Sequence, residues 1–380
     1  MKVVLTGWGA ITPLGASPQA MAEAVRRGQT PFVPSPWGYP VAPAPSPNVR
    51  ALVGPMKNAR YLCRAGRLAV AAAVQAVADA GLAPPLSQAA LFLGLGPHLE
   101  ATPPQALWLL SAMPSTTTSL VAATLGIHGE SATLLGACAA STQALAWGAR
   151  AIAEGRTAVA LVGGADSRVG ERAVAAYASA GVLTPADIRP FDTERSGFIP
   201  AEGAAAMVLE SEDHARGRGA RILASVLGTG IGIDGRELTD PNPETMAPVV
   251  RGALEGTAVD PSQLVVLAHG TGTRAGDAAE AAMLEAVLGK DFPGAVTALK
   301  SWLGHGAAAC GLMELALLLA CRSHGFVPPV RGLATPCARL PFMRACRPWQ
   351  PRFVLVESFG FGGQAAAVLM ELTHALGSPV

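Results

Sequence analysis

The chain has 380 residues, with 28 basic and 27 acidic side chains and a formal net charge of +1. Half the residues are hydrophobic and 14% are charged. That composition supports a large buried core and excludes the electrostatic footprint of a nucleic-acid-binding protein. The six cysteines, Cys63, Cys138, Cys310, Cys321, Cys337 and Cys346, contain no CxxC pair. A zinc ribbon and a thioredoxin motif are thereby ruled out, and a reduced, cytoplasmic protein is expected.

The N-terminal MKVVLTGWGA opens a strand at Val3–Thr6; its apolar run is too short for a secretory leader and lacks a cleavage site. Pro31–Pro55 is Pro-rich and reads as an extended surface loop or lid. A helix is expected over Arg60–Ala80, stopped by Gly81 and the Pro84–Pro85 pair, and a strand over Leu91–Leu95. The charge-free stretch Ala101–Gly129 holds Pro103, Pro104, Pro114 and a Ser/Thr run, a poor membrane span. Then follow a strand over 131–137, a helix over Cys138–Glu154 and a strand over Ala158–Val162. Further strands are expected at Ala204–Leu209, Ile222–Leu227, Leu264–Ala268, Val296–Leu299 and Phe353–Val356, with helices after Gly276 and Gly306. Strands alternating with helices indicate an α/β protein. Ala139–Ala153 and Ala307–Cys321 are apolar on almost every face, Glu314 apart, so both helices are buried on two sides. That demands more layers than the usual three. The grammar repeats in two halves, 1–228 and 229–380, with a break near Gly228–Asp240.

Three strand-to-helix junctions each present a reactive side chain, and in open α/β sheets such junctions line the ligand crevice. Cys138, in LLGACAASTQAL, falls at a helix N-terminus, where free N–H groups and the dipole lower a thiol pKa. A lone buried Cys is more often inert. His269 lies in LVVLAHGTGTRAGD and His305 in ALKSWLGHGAAACG. Either histidine alone could be structural; together, in Gly-rich loops, they read as a site. Lys300 in an apolar stretch needs a partner, and Glu314 is the natural one. The FGFGG loop at 359–363 could bring backbone N–H groups to a ligand oxygen. Cys138, His269 and His305 have no metal-ligand spacing, so no metal is expected. A Cys-His-Asn protease is the chemical rival, but it needs one base and one orienter rather than two histidines and a Lys.

The chain resembles the β-ketoacyl-acyl-carrier-protein synthases of the thiolase superfamily along nearly its whole length. The matching segments are VVLTGWGAITPLG at 3–15, GACAAS at 136–141, LVGGADS at 161–167 and RPFDTERSGFIPAEGAAAMVLE at 189–210. In the second half they are AHGTGTRAGDAAE at 268–280, LKSWLGHGAAACGLME at 299–314 and ESFGFGG at 357–363. The resemblance implies a thiolase-like five-layer αβαβα fold with two related halves, usually dimeric. It implies Cys138 as the acyl-accepting nucleophile and His269 and His305 as the histidines that bind the malonyl thioester carbonyl. Lys300 would set the site's electrostatics with Glu314 as structural support, and Thr271 and Thr273 would position the malonyl group or pantetheine arm. Phe361, with Phe359 beside it, would gate the acyl pocket, and its N–H would join that of Cys138 in an oxyanion hole. No cofactor is expected beyond the phosphopantetheine arm that arrives on the carrier protein. Arg60, Arg64 and Arg67 are offered as a basic contact for that acidic carrier.

The chain departs from the family at Glu357, where Asn is usual, at Gln364 for Thr and at Arg274 for Pro, and in the bulk of Trp302 and Leu303 near Lys300. The expected activity is decarboxylative Claisen condensation on acyl carrier protein, in fatty-acid or polyketide-type synthesis, by a homodimer or heterodimer of ketosynthase-like chains. The alternatives are a non-elongating, chain-length-factor-like partner subunit and a non-decarboxylating acyltransferase using the same Cys138.

Overall fold

The computed structural model describes residues 1–99, 107–239 and 241–373. Ten strands form one continuous mixed sheet. The first five are β1 (Val3–Ile11), β2 (Ala90–Leu95), β3 (Ser131–Leu134), β4 (Val159–Ser167) and β5 (Glu202–Ser211). The second five are β6 (Ala224–Ile233), β7 (Leu264–Leu267), β8 (Ala295–Thr297), β9 (Phe353–Gly360) and β10 (Gln364–Leu372). Read outward from the middle, the first half runs β1-β5-β4-β2-β3 and the second β6-β10-β9-β7-β8. Adding five to each number in one half gives the other, and the strand directions agree: two antiparallel pairings, then two parallel ones. A short antiparallel pairing of Val3, Val4 and Leu5 with Val226, Ser225 and Ala224 joins the halves. Residue 228, where the sequence placed the boundary, lies inside β6.

The layers follow from which way alternate strand residues point. Ala205, Met207 and Leu209 of β5 face one hydrophobic cluster, while Ala204, Ala206 and Val208 face another. In the second half Val368 and Met370 of β10 join the first of these clusters, and Ala367 and Leu369 a third. The shared cluster is the molecule's middle. It contains Leu145, Ala149 and Ile152 of the helix Ala140–Ala153 and Leu312, Leu315 and Leu318 of the helix Cys310–Ser323. Each of these helices packs on strands of both halves. Their all-round apolar character is thus explained by sheet on either side. They approach closely: a Cβ on Gly311 would lie 2.0 Å from the Thr142 hydroxyl oxygen. The helix Arg64–Asp79 covers the outer face of the first half, and Pro243–Leu254 and Arg274–Leu288 cover that of the second. The result is the expected five layers.

Local differences from the sequence reading have local causes. Arg60 belongs to a separate 3-10 turn, Ala59–Tyr61, and the helix starts only at Arg64, capped by the Cys63 sulfur accepting from the Gly66 N–H. β10 was not anticipated, because QAAAVLMEL reads as a helix former. Residues 101–106 of the charge-free stretch lie outside the described residues; the rest holds the helices Trp108–Ala112 and Ser115–Leu125. Among the described residues no helix is long and apolar enough to cross a membrane. The Pro-rich segment is anchored through buried Val41 and Ala42, Ala42 bridging to Ala201. Trp302 and Leu303 turn into the core, and the Trp302 indole N–H donates to the Pro329 carbonyl at 2.8 Å.

Candidate active site

Cys138 sits on a tight turn between β3 and the helix Ala140–Ala153. The turn requires a positive φ of 47° at Ala137, a strained value for a residue with a Cβ. A cavity opens onto it, lined by Cys138, His269, His305, Thr271, Thr273 and Phe361. His305 Nε2 lies 3.1 Å from the Cys138 sulfur. The His269 and His305 rings meet edge to face at 5.6 Å, and Phe198 packs edge-on against His305 at 4.7 Å. The Phe361 backbone N–H donates toward the Cys138 sulfur. Gly360 makes that approach feasible, since a Cβ there would lie 2.9 Å from the Cys138 backbone nitrogen. Phe359 packs edge-on to His269 at 6.1 Å. The Thr271 and Thr273 hydroxyls share a hydrogen bond of 2.9 Å, and Thr273 also caps the helix Arg274–Leu288.

Beneath the histidines is a dry, charged layer. Lys300 is fully buried and donates to the His269 carbonyl at 2.5 Å and to Glu314 at 2.6 Å. Burial works against its charge, but the Cys310 thiol and the Glu314 and Glu280 carboxylates outweigh it and raise the ammonium above its ordinary value. Burial lifts Glu314 to about 7 against the pull of Lys300. Glu280 was not singled out in the sequence. Its carboxylate accepts from the His269 N–H at 2.5 Å and the Gly270 N–H at 2.8 Å, so it fixes the peptide that carries His269. On the other side, the buried Asp166–Arg168 pair lies behind Cys138, and Asp166 accepts from the Ala308 N–H at 3.1 Å. The signal for Asp166 was present: a charge within the apolar, Gly-rich segment LVGGADS.

Protonation states follow from this arrangement. Burial, then the Lys300 charge, holds His269 and His305 well below the usual imidazole range, so both are neutral. Neither Nδ1 has a hydrogen-bond partner among the described residues. A buried N–H without an acceptor is costly, so the proton is better placed on Nε2, which on His305 has Cys138 to bond. Both rings are then neutral N–H donors. For Cys138 the expected downward shift is corrected: burial pushes the thiol up to about 11, outweighing Lys300, Arg168 and the Phe361 N–H. The sulfur is too deeply enclosed for the helix terminus to win.

The structure thus unites Cys138, His269, His305, Lys300, Glu314, Thr271, Thr273, Phe359 and Phe361. Arg64 falls elsewhere. Its guanidinium bonds to Glu202 at 2.6 Å and to the Ala44 carbonyl, so it is a structural anchor rather than a free contact. Arg60 and Arg67 are exposed. Gln364 pairs with Gln143 at 2.9 Å beside the Cys138 turn, and Arg274 is at the surface.

Residues 1–215 match the family model for the beta-ketoacyl synthase N-terminal domain, and residues 223–334 match that for the C-terminal domain. The 3-oxoacyl-[acyl-carrier-protein] synthase 2 of Mycobacterium bovis is 33% identical over 62% of this chain and 60% of its own. A beta-ketoacyl synthase from Burkholderia phymatum superposes with a TM-score of 0.91 at 28% identity, covering 98% of this chain and 100% of that one. The ishigamide ketosynthase/chain length factor superposes at 0.89 with 30% identity, covering 98% and 99%. With both domain models matched in order over one thiolase-like fold, the chain belongs to the β-ketoacyl synthase family.

Proposed function

We propose that this chain is a condensing enzyme in which Cys138 takes an acyl group from a carrier-bound thioester and extends it with a malonyl thioester. The observation that carries the reading is the convergence of the Cys138 sulfur with two neutral imidazoles in one cavity. In the first step the Cys138 sulfur attacks the acyl carbonyl, and the Cys138 and Phe361 N–H groups face the oxyanion. One such donor is typically worth about 2.7–4 kcal/mol. The bond to the pantetheine sulfur breaks, and the thiol proton ends on that departing sulfur. In the second step the malonyl thioester carbonyl accepts from Nε2–H of His269 and His305. The C–CO2 bond breaks, its electron pair forms the enolate, and CO2 leaves. The enolate carbon then attacks the acyl-Cys138 carbonyl, and the Cys138 thiolate is expelled. Lys300 and Glu280 support this by fixing the His269 peptide from both sides, and Thr271 and Thr273 line the approach.

The phosphopantetheine arm would arrive on an acidic carrier protein, with Arg60 and Arg67 as its contacts. Assembly with a second ketosynthase-like chain is supported by β3, an edge strand of the sheet among the described residues, and by Leu107, Trp108 and Leu109, each more than half exposed. The Cys138–His305 contact disfavours the non-elongating partner reading, because a subunit without chemistry has no use for it. The test is CO2 release from a malonyl thioester. Release that falls in both His269→Ala and His305→Ala supports the reading; no release from the protein, alone or with its partner chain, overturns it.

A further inference from the structure

Glu357 lies on β9 with its side chain in the dry layer beneath His269 and is only 2% exposed. No N–H or O–H group among the described residues donates to either of its carboxyl oxygens. The group it reaches is the Glu280 carboxyl. Glu280 is already held as an acceptor by the His269 and Gly270 N–H groups. Two carboxyl groups can hold that contact only if a proton lies between them. The proton belongs on Glu357, which has no donor to stabilise a negative charge, and not on Glu280, which has two.

We propose that Glu357 is a positioning residue that works as a neutral carboxylic acid, donating its O–H to the Glu280 carboxylate and so holding the His269–Gly270 peptide in register for decarboxylation. The surrounding charges agree. The ionisable groups that act on Glu357 are Glu280 on the helix Arg274–Leu288 and Lys300 on the turn after β8; Asp277 lies on the same helix as Glu280, and Cys310 and Glu314 on the central helix, all buried. Asp277 is occupied by the Phe191 and Gly272 N–H groups, and Cys310 donates to the Cys138 carbonyl at 3.2 Å. Lys300 neutralises one carboxylate, Glu314, at 2.6 Å. Glu280 uses peptide N–H groups, and among the described residues no donor is left for a negative charge on Glu357. Burial, reinforced by Glu280, accordingly drives Glu357 well above the usual carboxylate range. A raised acid is neutral below its shifted pKa and ionises above it, so the O–H donor is lost as pH rises.

The kinetic arm of the test rests on the proposed decarboxylation; the spectroscopic arm does not. In isotope-edited infrared spectra of the full chain labelled with 13C-glutamate, a protonated-carboxyl band present at neutral pH should vanish in Glu357→Gln. For malonyl thioester decarboxylation, Glu357→Gln keeps an N–H donor that cannot ionise, so kcat should stay within about threefold and the alkaline fall in kcat should disappear. Glu357→Met has the size but no donor; kcat should fall about 10- to 100-fold with KM little changed, the effect of one missing bond to a buried carboxylate. The proposal is overturned if no infrared band depends on Glu357, or if the Gln and Met variants have the same activity and pH profile.

Discussion

The two strand-to-helix turns at the centre of the molecule have nearly the same backbone and opposite chemistry. Gly136–Ala137–Cys138 and Gly306–Ala307–Ala308 occupy equivalent places in the two halves. φ is 47° at Ala137 and 43° at Ala307, and the flanking glycines match at −84° and −80°. Each turn leads through a 3-10 segment into a buried helix. In the first half the third residue is the thiol facing the cavity. In the second it is Ala308, whose N–H is tied to Asp166. The chemistry of the second half comes instead from residues 298–305 between β8 and its turn, which deliver Lys300 and His305, and from the loop after β7, which delivers His269. A repeated scaffold thus supplies one nucleophile that faces the cavity and, from the loop after β7 and the longer connection after β8, the imidazole N–H groups that face it.

The largest effect should come from moving the thiol. Cys138→Ala should lower condensation by about 10^4-fold or more. Adding Ala308→Cys to that variant should restore nothing, because position 308 is 1% exposed and its N–H is engaged with Asp166. An acyl adduct on the introduced Cys, seen by mass spectrometry, would break the comparison. Next come the residues that face the thiol and those beneath them. Lys300→Met leaves Glu314 as a buried charge without its ion and should cost about 3–5 kcal/mol in urea unfolding, with much of this recovered in Lys300→Met/Glu314→Leu. His305→Ala and His269→Ala should each lower decarboxylation by about 10^2- to 10^3-fold, the usual loss for one hydrogen-bond donor to a developing oxyanion.

Smaller effects sharpen the symmetry. A β-branched side chain is poorly tolerated at positive φ, so Ala137→Val and Ala307→Val should each cost about 1–3 kcal/mol in thermal unfolding, by similar amounts. The Cys138 thiol, raised by burial to about 11, is mostly protonated at neutral pH. Its thiolate fraction grows as pH rises toward that value, so iodoacetamide inactivation should speed up about tenfold per pH unit in the neutral to mildly alkaline range. A plateau near neutral pH would show that the helix terminus dominates after all.

Much of this was legible in the chain itself, for identifiable reasons. Cys138, His269 and His305 stand out because reactive side chains in Gly-containing turns at strand ends have few structural uses. The central helices are betrayed by being apolar all round, which only sheet on both faces can satisfy. β10 was hidden because its Ala run, needed where sheets and helices pack closely, mimics a helix. Arg64 was misread because its partner, Glu202, lies 138 residues away and only the fold brings the two together. Glu280 was missed because it bonds to peptide N–H groups, which leave no trace in side-chain patterns. The shift of the Cys138 thiol was misjudged for a related reason: a helix terminus can be read from sequence, whereas the depth of burial that outweighs it cannot.

The most direct test of the central claim is intact mass spectrometry of the chain, with its partner subunit if one co-purifies, mixed with an acyl carrier thioester and then with a malonyl carrier thioester. An acyl adduct on Cys138 is expected in the first mixture, and in the second its disappearance with release of CO2 and of a carrier-bound product two carbons longer. An adduct that persists without CO2 release, or no adduct from any acyl thioester tried, would contradict that claim.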